Sequence, residues 1–590
     1  MKKFYFTLLA FSCIHFLSAQ NAPAWHQKVS ASLLEKTADG ESAPFFVLLK
    51  QQADVSAARG LNTKDEKAYY VFSQLKEMAV HSQKNLSAFL KSEGVSYQSL
   101  FIVNAIQTEG TQDLIHSLAE RTDVAKILKN SPMSFAAPVE KIQATDHSRS
   151  AIEWGIDMIN ANDVWDMGFR GQGVVVGGED TGYDWTHPAL KKQYRGYTAV
   201  GDSSTVDHNY AWHDAIHSIS PLSGDSINPC GLDVKEPCDD YGHGTHTMGT
   251  MIGLDGDNQI GVAPESKWCA CRNMERGNGS PFTYLECFEW FLAPTDLNNE
   301  NPDPTKAPHV INNSWGCPPS EGCDSTNWQI LDIAVNNLRL AGTVVVVSAG
   351  NSGSGCSSVD DPPAMFENSF SVGATAENDT IAGFSSRGPV IIDGSNRLKP
   401  NVSAPGVRVR SSIPGGQYAN YSGTSMAGPH VAGAVALIIS ANPELAGKVE
   451  LIEDILEKTA VPKTTDQFCG TILGSEIPNH TYGFGRIDVL EAVKAALALI
   501  ETGTNEQGLI SGIAVYPNPV NDFLQVDIQN GNGDVIADVF DTNGKLVAHQ
   551  TKRIEGHSSF SLDLSANPSG IYFYHINSNG RLLTGKVIKK

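Results

Sequence analysis

Thr343-Val344-Val345-Val346-Val347-Ser348-Ala349-Gly350-Asn351 is a run of β-branched residues that stops at small and polar ones. A strand with water on one face alternates apolar and polar residues, so an unbroken run of this kind belongs to a strand buried on both faces. Val174-Val175-Val176-Gly177-Gly178-Glu179-Asp180 repeats the pattern. Helical stretches separate such runs from about residue 146 to 498, and the expected architecture is α/β: a parallel sheet covered by helices. Residues 431–439, apolar apart from Gly433, read as a buried helix.

The flanks differ in texture. Residues 20–145 read as a small α+β unit, with an apolar strand over 45–49. Val71, Phe72, Leu75, Met78, Ala79, Leu86, Phe89 and Leu90 then recur at helical spacing. A strand over 100–106, a helix over 113–121 and a strand over 124–128 complete the unit. After a polar linker, 499–511, residues 512–590 read as an all-β sandwich of short alternating segments. Leu524, Val526 and Ile528 alternate there, as do Ile571, Phe573 and His575, with turn signals at Asn543-Gly544 and Asn579-Gly580.

The 590 residues carry 43 Lys+Arg against 65 Asp+Glu, a formal charge of -22. Such a surface repels phosphate backbones, so no nucleic-acid partner is expected. Lys2-Lys3, the apolar stretch 4–17 and Ser18-Ala19-Gln20 have the order of a secretory signal over 1–19, cut after Ala19. A short membrane anchor is the alternative, but the run falls short of the roughly 20 residues that span a bilayer. Export makes disulfides the natural reading of the cysteines. Cys13 leaves with the signal, and the nine left between Cys230 and Cys469 include at least one unpaired thiol. Cys230/Cys238 and Cys317/Cys323 are near enough in sequence to close local loops. Zinc is the weaker reading, because no Cys-x-x-Cys occurs.

Three short motifs carry chemistry. Ser425 sits in Gly423-Thr424-Ser425-Met426-Ala427-Gly428-Pro429-His430, directly before the apolar helix. A hydroxyl there faces free backbone N–H groups and the positive end of the helix dipole, a favourable place for a developing oxyanion. A serine nucleophile needs a base and an orienting acid. His243 stands between glycines in Tyr241-Gly242-His243-Gly244-Thr245-His246, and Asp180 ends a strand, where active sites of parallel sheets collect. His246 reads as an internally satisfied group.

Asp180-Thr181-Gly182, His243-Gly244-Thr245-His246 and Gly423-Thr424-Ser425-Met426-Ala427 resemble the three signatures of the subtilisin family of serine proteases, in that family's order. Asn301-Pro302-Asp303-Pro304 and the segment from Asn312 to Pro319 are similar to its bacillopeptidase F-like branch. The resemblance covers roughly residues 150–498. It implies a subtilisin-like fold and catalysis by Asp180, His243 and Ser425, with no cofactor required for the chemistry. It makes Asn351 the oxyanion-hole amide, a kind of donor worth about 3–4 kcal/mol, a figure that comes from the family itself. Ser314, Trp315 and Gly316 resemble the segment that pairs with substrate; Trp315 reads equally as core packing. The segment from Asp255 to Val262 resembles a calcium-loop position, which leaves room for a structural calcium without naming ligands.

The flanks acquire meaning from the same resemblance. The N-terminal unit is patterned like an inhibitor-type propeptide, cut by the enzyme itself between about Ala136 and Ile152. The C-terminal module, from Val515-Tyr516-Pro517-Asn518-Pro519 through Ser569-Gly570-Ile571-Tyr572 to Lys586-Val587-Ile588-Lys589-Lys590, resembles a type A sorting domain of the type IX secretion system. A generic β-sandwich that binds carbohydrate or protein is the alternative. The expectation is a serine endopeptidase that passes through the periplasm and ends secreted or on the cell surface. Its partners would be protein or peptide substrates, its own propeptide and the type IX secretion machinery. An inactive binding protein on the same scaffold would have lost a catalytic residue, and none is missing. An esterase or peptide ligase would share the same acyl-enzyme.

Overall fold

The computed structural model describes residues 23–134, 139–143, 151–200, 203–224, 226–317, 325, 327–501, 513–517, 519–541, 545–578 and 581–590. The expected signal segment and most of the linker lie outside them.

The β-branched runs become strands Val175–Asp180 and Val344–Ser348 of a seven-stranded sheet. Its order is Trp212–Asp214, Lys267–Arg272, Val175–Asp180, Val310–Asn313, Val344–Ser348, Phe370–Thr375, Val402–Pro405, with every neighbouring pair parallel. The reason for the unbroken apolar run is visible in its alternation. Val344 and Val346 pack with the helix Thr424–Ala441, while Val345 and Val347 pack with the helices Pro281–Leu292 and Trp328–Leu340 on the other face. Both faces are dry, as a parallel sheet requires. From Val175–Asp180 the chain runs out to the edge strand Trp212–Asp214, returns through Lys267–Arg272 and crosses to Val310–Asn313. A crevice opens at the carboxyl ends where strand order reverses in this way.

The N-terminal unit is a four-stranded antiparallel sheet, Tyr97–Leu100, Ala105–Gly110, Ala43–Leu49, Val124–Lys129. Phe45, Val47 and Leu49 face its own helices through Leu86, Leu90, Ile115 and Leu118. Phe46 and Leu48 instead join the core formed by Pro281–Leu292 and Trp328–Leu340. The unit thus docks on the two helices by one face of its sheet.

One expectation is corrected here, and the helical stretch is divided. Residues 100–106 are not one strand: they end Tyr97–Leu100, turn, and begin Ala105–Gly110, which pair with each other. Phe101, Ile102 and Val103 are apolar because the turn is buried against the large domain. The long helical stretch is two helices, Lys64–Ser82 and Lys84–Ser92. They break at Gln83, whose amide donates to the Leu100 carbonyl and to Asn104 Oδ1.

The C-terminal module is a five-stranded antiparallel sheet. Leu524, Val526 and Ile528 fill its inner face as expected. Ile571 and Phe573 do not; they point outward, and Tyr572 and Ile576 point in. Both registers of that strand carry large residues, so alternation alone could not choose the face. The two Asn-Gly turns fall outside the described residues.

Cys230–Cys238 closes the expected local loop, and Cys271–Cys287 and Cys356–Cys469 join distant segments. Cys317 is also disulfide-bonded, while Cys323 lies outside the described residues. The free thiol among the described residues is Cys269, buried in the sheet.

Candidate active site

Asp180 closes the strand Val175–Asp180, and His243 opens the helix His243–Ile252. His243 Nδ1 lies 2.7 Å from Asp180 Oδ1 and 2.9 Å from Oδ2, so Nδ1 carries the proton it donates. Both side chains are buried. The carboxylate also accepts from the Thr181 amide at 2.7 Å, which leaves it little freedom to turn. Two glycines permit this approach. A Cβ on Gly244 would come within 2.2 Å of the Gly182 carbonyl, and Gly182, at φ +110°, has the Cys238 carbonyl 1.8 Å from where a Cβ would stand.

Asp239 is a residue that motif reading passed over. Its carboxylate accepts from Thr181 Oγ1, the amides of Tyr241, Gly242 and Thr245, and Thr245 Oγ1. Burial pushes its pKa up while these donors pull it down. The Asp180 strand end and the His243 loop are therefore tied to one buried group. Its signal in the sequence was only an acidic residue shortly before Gly242-His243. His246 is a core group rather than a catalytic one: Nε2 lies 3.1 Å from both the Val409 and Ala419 carbonyls, Nδ1 is buried without a hydrogen-bond partner, and burial pushes its pKa down to about 3.

Ser425 lies in the first turn of Thr424–Ala441, where backbone N–H groups have no helical acceptor. Pro429 further along removes the N–H that would have bonded the Ser425 carbonyl. Ser314 Oγ replaces it at 3.0 Å and is itself held by Asn312 Nδ2 at 2.8 Å. Ser425 Oγ in turn donates to the Ser314 carbonyl at 3.1 Å. Asn351 follows the strand Val344–Ser348, and its Oδ1 accepts from the Thr424 amide and hydroxyl at 2.9 and 3.0 Å. That pins the carbonyl end of the amide and directs the NH₂ end toward the Ser425 turn: a Cβ on Gly423 would stand 3.5 Å from Asn351 Nδ2.

Trp315 belongs to the core by its side chain. Its ring stacks on Tyr284 at 3.8 Å, and Nε1 donates to buried Glu179 at 3.0 Å. Burial pushes the Glu179 pKa well up, and the neighbouring Asp180 carboxylate pushes it the same way. Only the backbone of 314–316 is left for a substrate. Gly316 is required because a Cβ would come within 2.2 Å of Asp361 Oδ2.

In the Asp255–Val262 loop two side chains have partners within the protein. Asn258 Oδ1 and Glu153 Oε1 both accept from Arg410 Nη1, at 2.8 and 2.9 Å, and Asp255 Oδ2 accepts from the Tyr418 hydroxyl at 3.3 Å. The Arg410 guanidinium thus ties Asn258 of the loop to Glu153 outside it.

The N-terminal unit reaches this crevice. Met133–Ser134 pairs antiparallel with Asn278–Gly279, and Met133 lies against Cys317. Val139 N then donates to the Ser422 carbonyl at 2.8 Å, and Glu140–Gln143 pairs antiparallel with Gln417–Ser422, the strand that leads into Ser425.

Known proteins place this architecture. The crystal structure of the epidermin leader peptide processing serine protease of Staphylococcus aureus has the same fold, with a TM-score of 0.56 at 17% identity, covering 77% of this chain and all of that one. Bacillopeptidase F of Bacillus subtilis is 36% identical over 510 residues, 81% of this chain; the chain spans 33% of that protein's length. Subtilisin Savinase of Lederbergia lenta is 32% identical over 346 residues, 58% of this chain and 99% of its own. Residues 514–590 match the secretion system C-terminal sorting domain, which marks the chain for type IX export to the cell surface or beyond. Residues 171–485 match the subtilase family, and the chain belongs to that family of serine proteases.

Proposed function

We propose that the chain is an endopeptidase in which Ser425 is nucleophile, His243 general base, Asp180 its orienting acid and Asn351 an oxyanion donor. The Ser425 hydroxyl turns from the Ser314 carbonyl and passes its proton to His243 Nε2 as Oγ attacks the scissile carbonyl. Asp180 holds the Nδ1–H tautomer and stabilises the imidazolium. Asn351 Nδ2 and the Ser425 amide receive the oxyanion. The imidazolium then protonates the leaving amine, and water, with His243 again as base, releases the acyl group. No cofactor takes part.

In this reading the propeptide lies within residues 20–145, and the enzyme cuts its own chain between Ser134 and Val139, a span that overlaps the amino-terminal end of the expected window 136–152. The supporting observation is that the chain before 135 pairs with Asn278–Gly279 and the chain after 138 pairs with Gln417–Ser422, as a bound substrate would. Peptide substrates would follow the same track. Intact mass and N-terminal sequencing of wild type beside Ser425→Ala test it: wild type should lose its N-terminal unit at a bond within 134–139, and the variant should keep it. Identical processing of the two would remove Ser425 from the role of self-processing nucleophile.

A further inference from the structure

The segment after the proposed cut carries side chains as well as backbone. In the register of the paired strands, Lys141 lies opposite Tyr421 and Glu140 opposite Ser422. A lysine on a surface strand ordinarily extends into water. Lys141 is exposed, yet its ammonium lies 3.9 Å from the centre of the Tyr241 ring and 5.3 Å from that of Tyr421. An ammonium at that range is attracted by the negative faces of the rings.

The rings are held in place. Tyr421 is buried and stacks on His246 with centres 4.3 Å apart and planes at 6°. His246 is neutral, so no cation sits behind the stack. The Tyr241 backbone is fixed by its amide bond to Asp239 at 3.0 Å. Asp239 and Asp180 both attract the Lys141 ammonium, against the desolvation that lowers its pKa. Glu140 accepts from Ser422 Oγ at 3.1 Å and lies 3.4 Å from the Arg408 guanidinium, which is largely exposed and adds little.

We infer that Tyr241 and Tyr421 form a recognition site for a basic side chain on the leaving-group side of the cleaved bond, at the position Lys141 holds. This rests on the reading of residues 139–143 as the leaving strand. Substrates with Lys or Arg there are favoured over those with a neutral or acidic residue. Tyr241 and Tyr421 are thereby specificity-determining residues that the three signatures do not include.

The test uses enzyme matured from the full chain and internally quenched peptides spanning residues 130–145, with Lys141 kept or replaced by Ala or Glu. Mass spectrometry reads the bond cut. Cleavage within 134–139 is expected for all three, with kcat/KM for the Lys peptide about threefold to tenfold above Ala and lower still for Glu. Tyr241→Leu and, independently, Tyr421→Leu should bring the Lys/Ala ratio close to one, and Tyr241→Phe, which keeps the ring, should preserve it. Equal kcat/KM for the three peptides, a ratio unmoved in both Leu variants, or a cut outside 134–139 overturns the inference. In those cases a peptide p-nitroanilide, which has no residue beyond the scissile bond, is still hydrolysed and the protease reading stands. Failure to cleave the p-nitroanilide as well overturns that reading and the inference with it.

Discussion

The seven-stranded sheet and the C-terminal sheet are both built from regular ladders, yet they leave different surfaces for function. The first is parallel, and helices cover both faces. What remains open is the row of carboxyl ends, where Asp180 closes one strand and Ser314 and Asn351 directly follow others. The C-terminal sheet is antiparallel and buries one face, leaving Phe523, Ile536, Ile571, Phe573 and Ile588 partly exposed on it. A covered sheet concentrates chemistry at a few atoms held from several directions. A half-covered one offers area, which tolerates change at any single point.

That contrast predicts a steep ranking of substitutions. At the strand ends, Ser425→Ala should lower kcat by at least about 10⁴-fold on a peptide substrate with the fold retained, a magnitude known from subtilisins. Asn351→Ala should cost about 10²–10³ in kcat and little in KM, since the donor acts on the transition state; the scale again comes from the family. An equal loss in KM would mean that Asn351 binds the ground state.

Beneath the site the expected effects are on stability. Arg410→Met leaves the buried Glu153 carboxylate without its guanidinium and should cost about 3–5 kcal/mol in chemical denaturation. A small effect would show that another cation reaches Glu153 and Asn258. In the C-terminal sheet, Leu524→Ala on the inner face should cost about 2–5 kcal/mol. Ile571→Ser on the outer face, 45% exposed, should stay within about 0.5 kcal/mol. Comparable losses at the two positions would mean that the outer face is covered too.

The smallest effect concerns the docked N-terminal unit. Glu289 accepts from the Phe101 and Ile102 amides at 2.5 and 2.9 Å, and burial pushes its pKa up to about 7 from an ordinary 4.5. Lys76 pulls the value down and Glu286 pushes it up. A raised carboxyl stabilises the docked state fully below about pH 4.5 and loses that contribution as pH rises through about 7. The N-terminal unit released by the proposed cut should therefore inhibit less well at pH 8 than at pH 5. Glu289→Gln, measured by the same inhibition assay, should flatten that dependence.

Legibility followed the same division between chemistry and packing. The strand runs at 174–176 and 343–347, the buried helix and the three signatures were readable because each is local: a period, or a residue type at a turn. Local patterns failed where a partner decides. Residues 100–106 looked like a strand because their apolar side chains are buried by another domain, and Ile571 and Phe573 looked internal because nothing in the alternation says which face is covered. Trp315 read equally as substrate contact and as core packing, and its ring serves the core.

By itself the sequence determined the α/β class, the order Asp180, His243, Ser425 and the α+β and all-β flanks, since periodicity and motif spacing are properties of the chain. Only the tertiary structure decided that Asp239 ties the Asp180 and His243 segments together and that Ser314 replaces the donor lost at Pro429. It alone showed that Arg410 ties Asn258 of the expected calcium loop to Glu153 and that Lys141 rests on Tyr241 and Tyr421. Each of these joins residues from separate stretches of the chain. Contacts of that kind are created by the fold, and residue identity records them only as isolated polar or aromatic side chains.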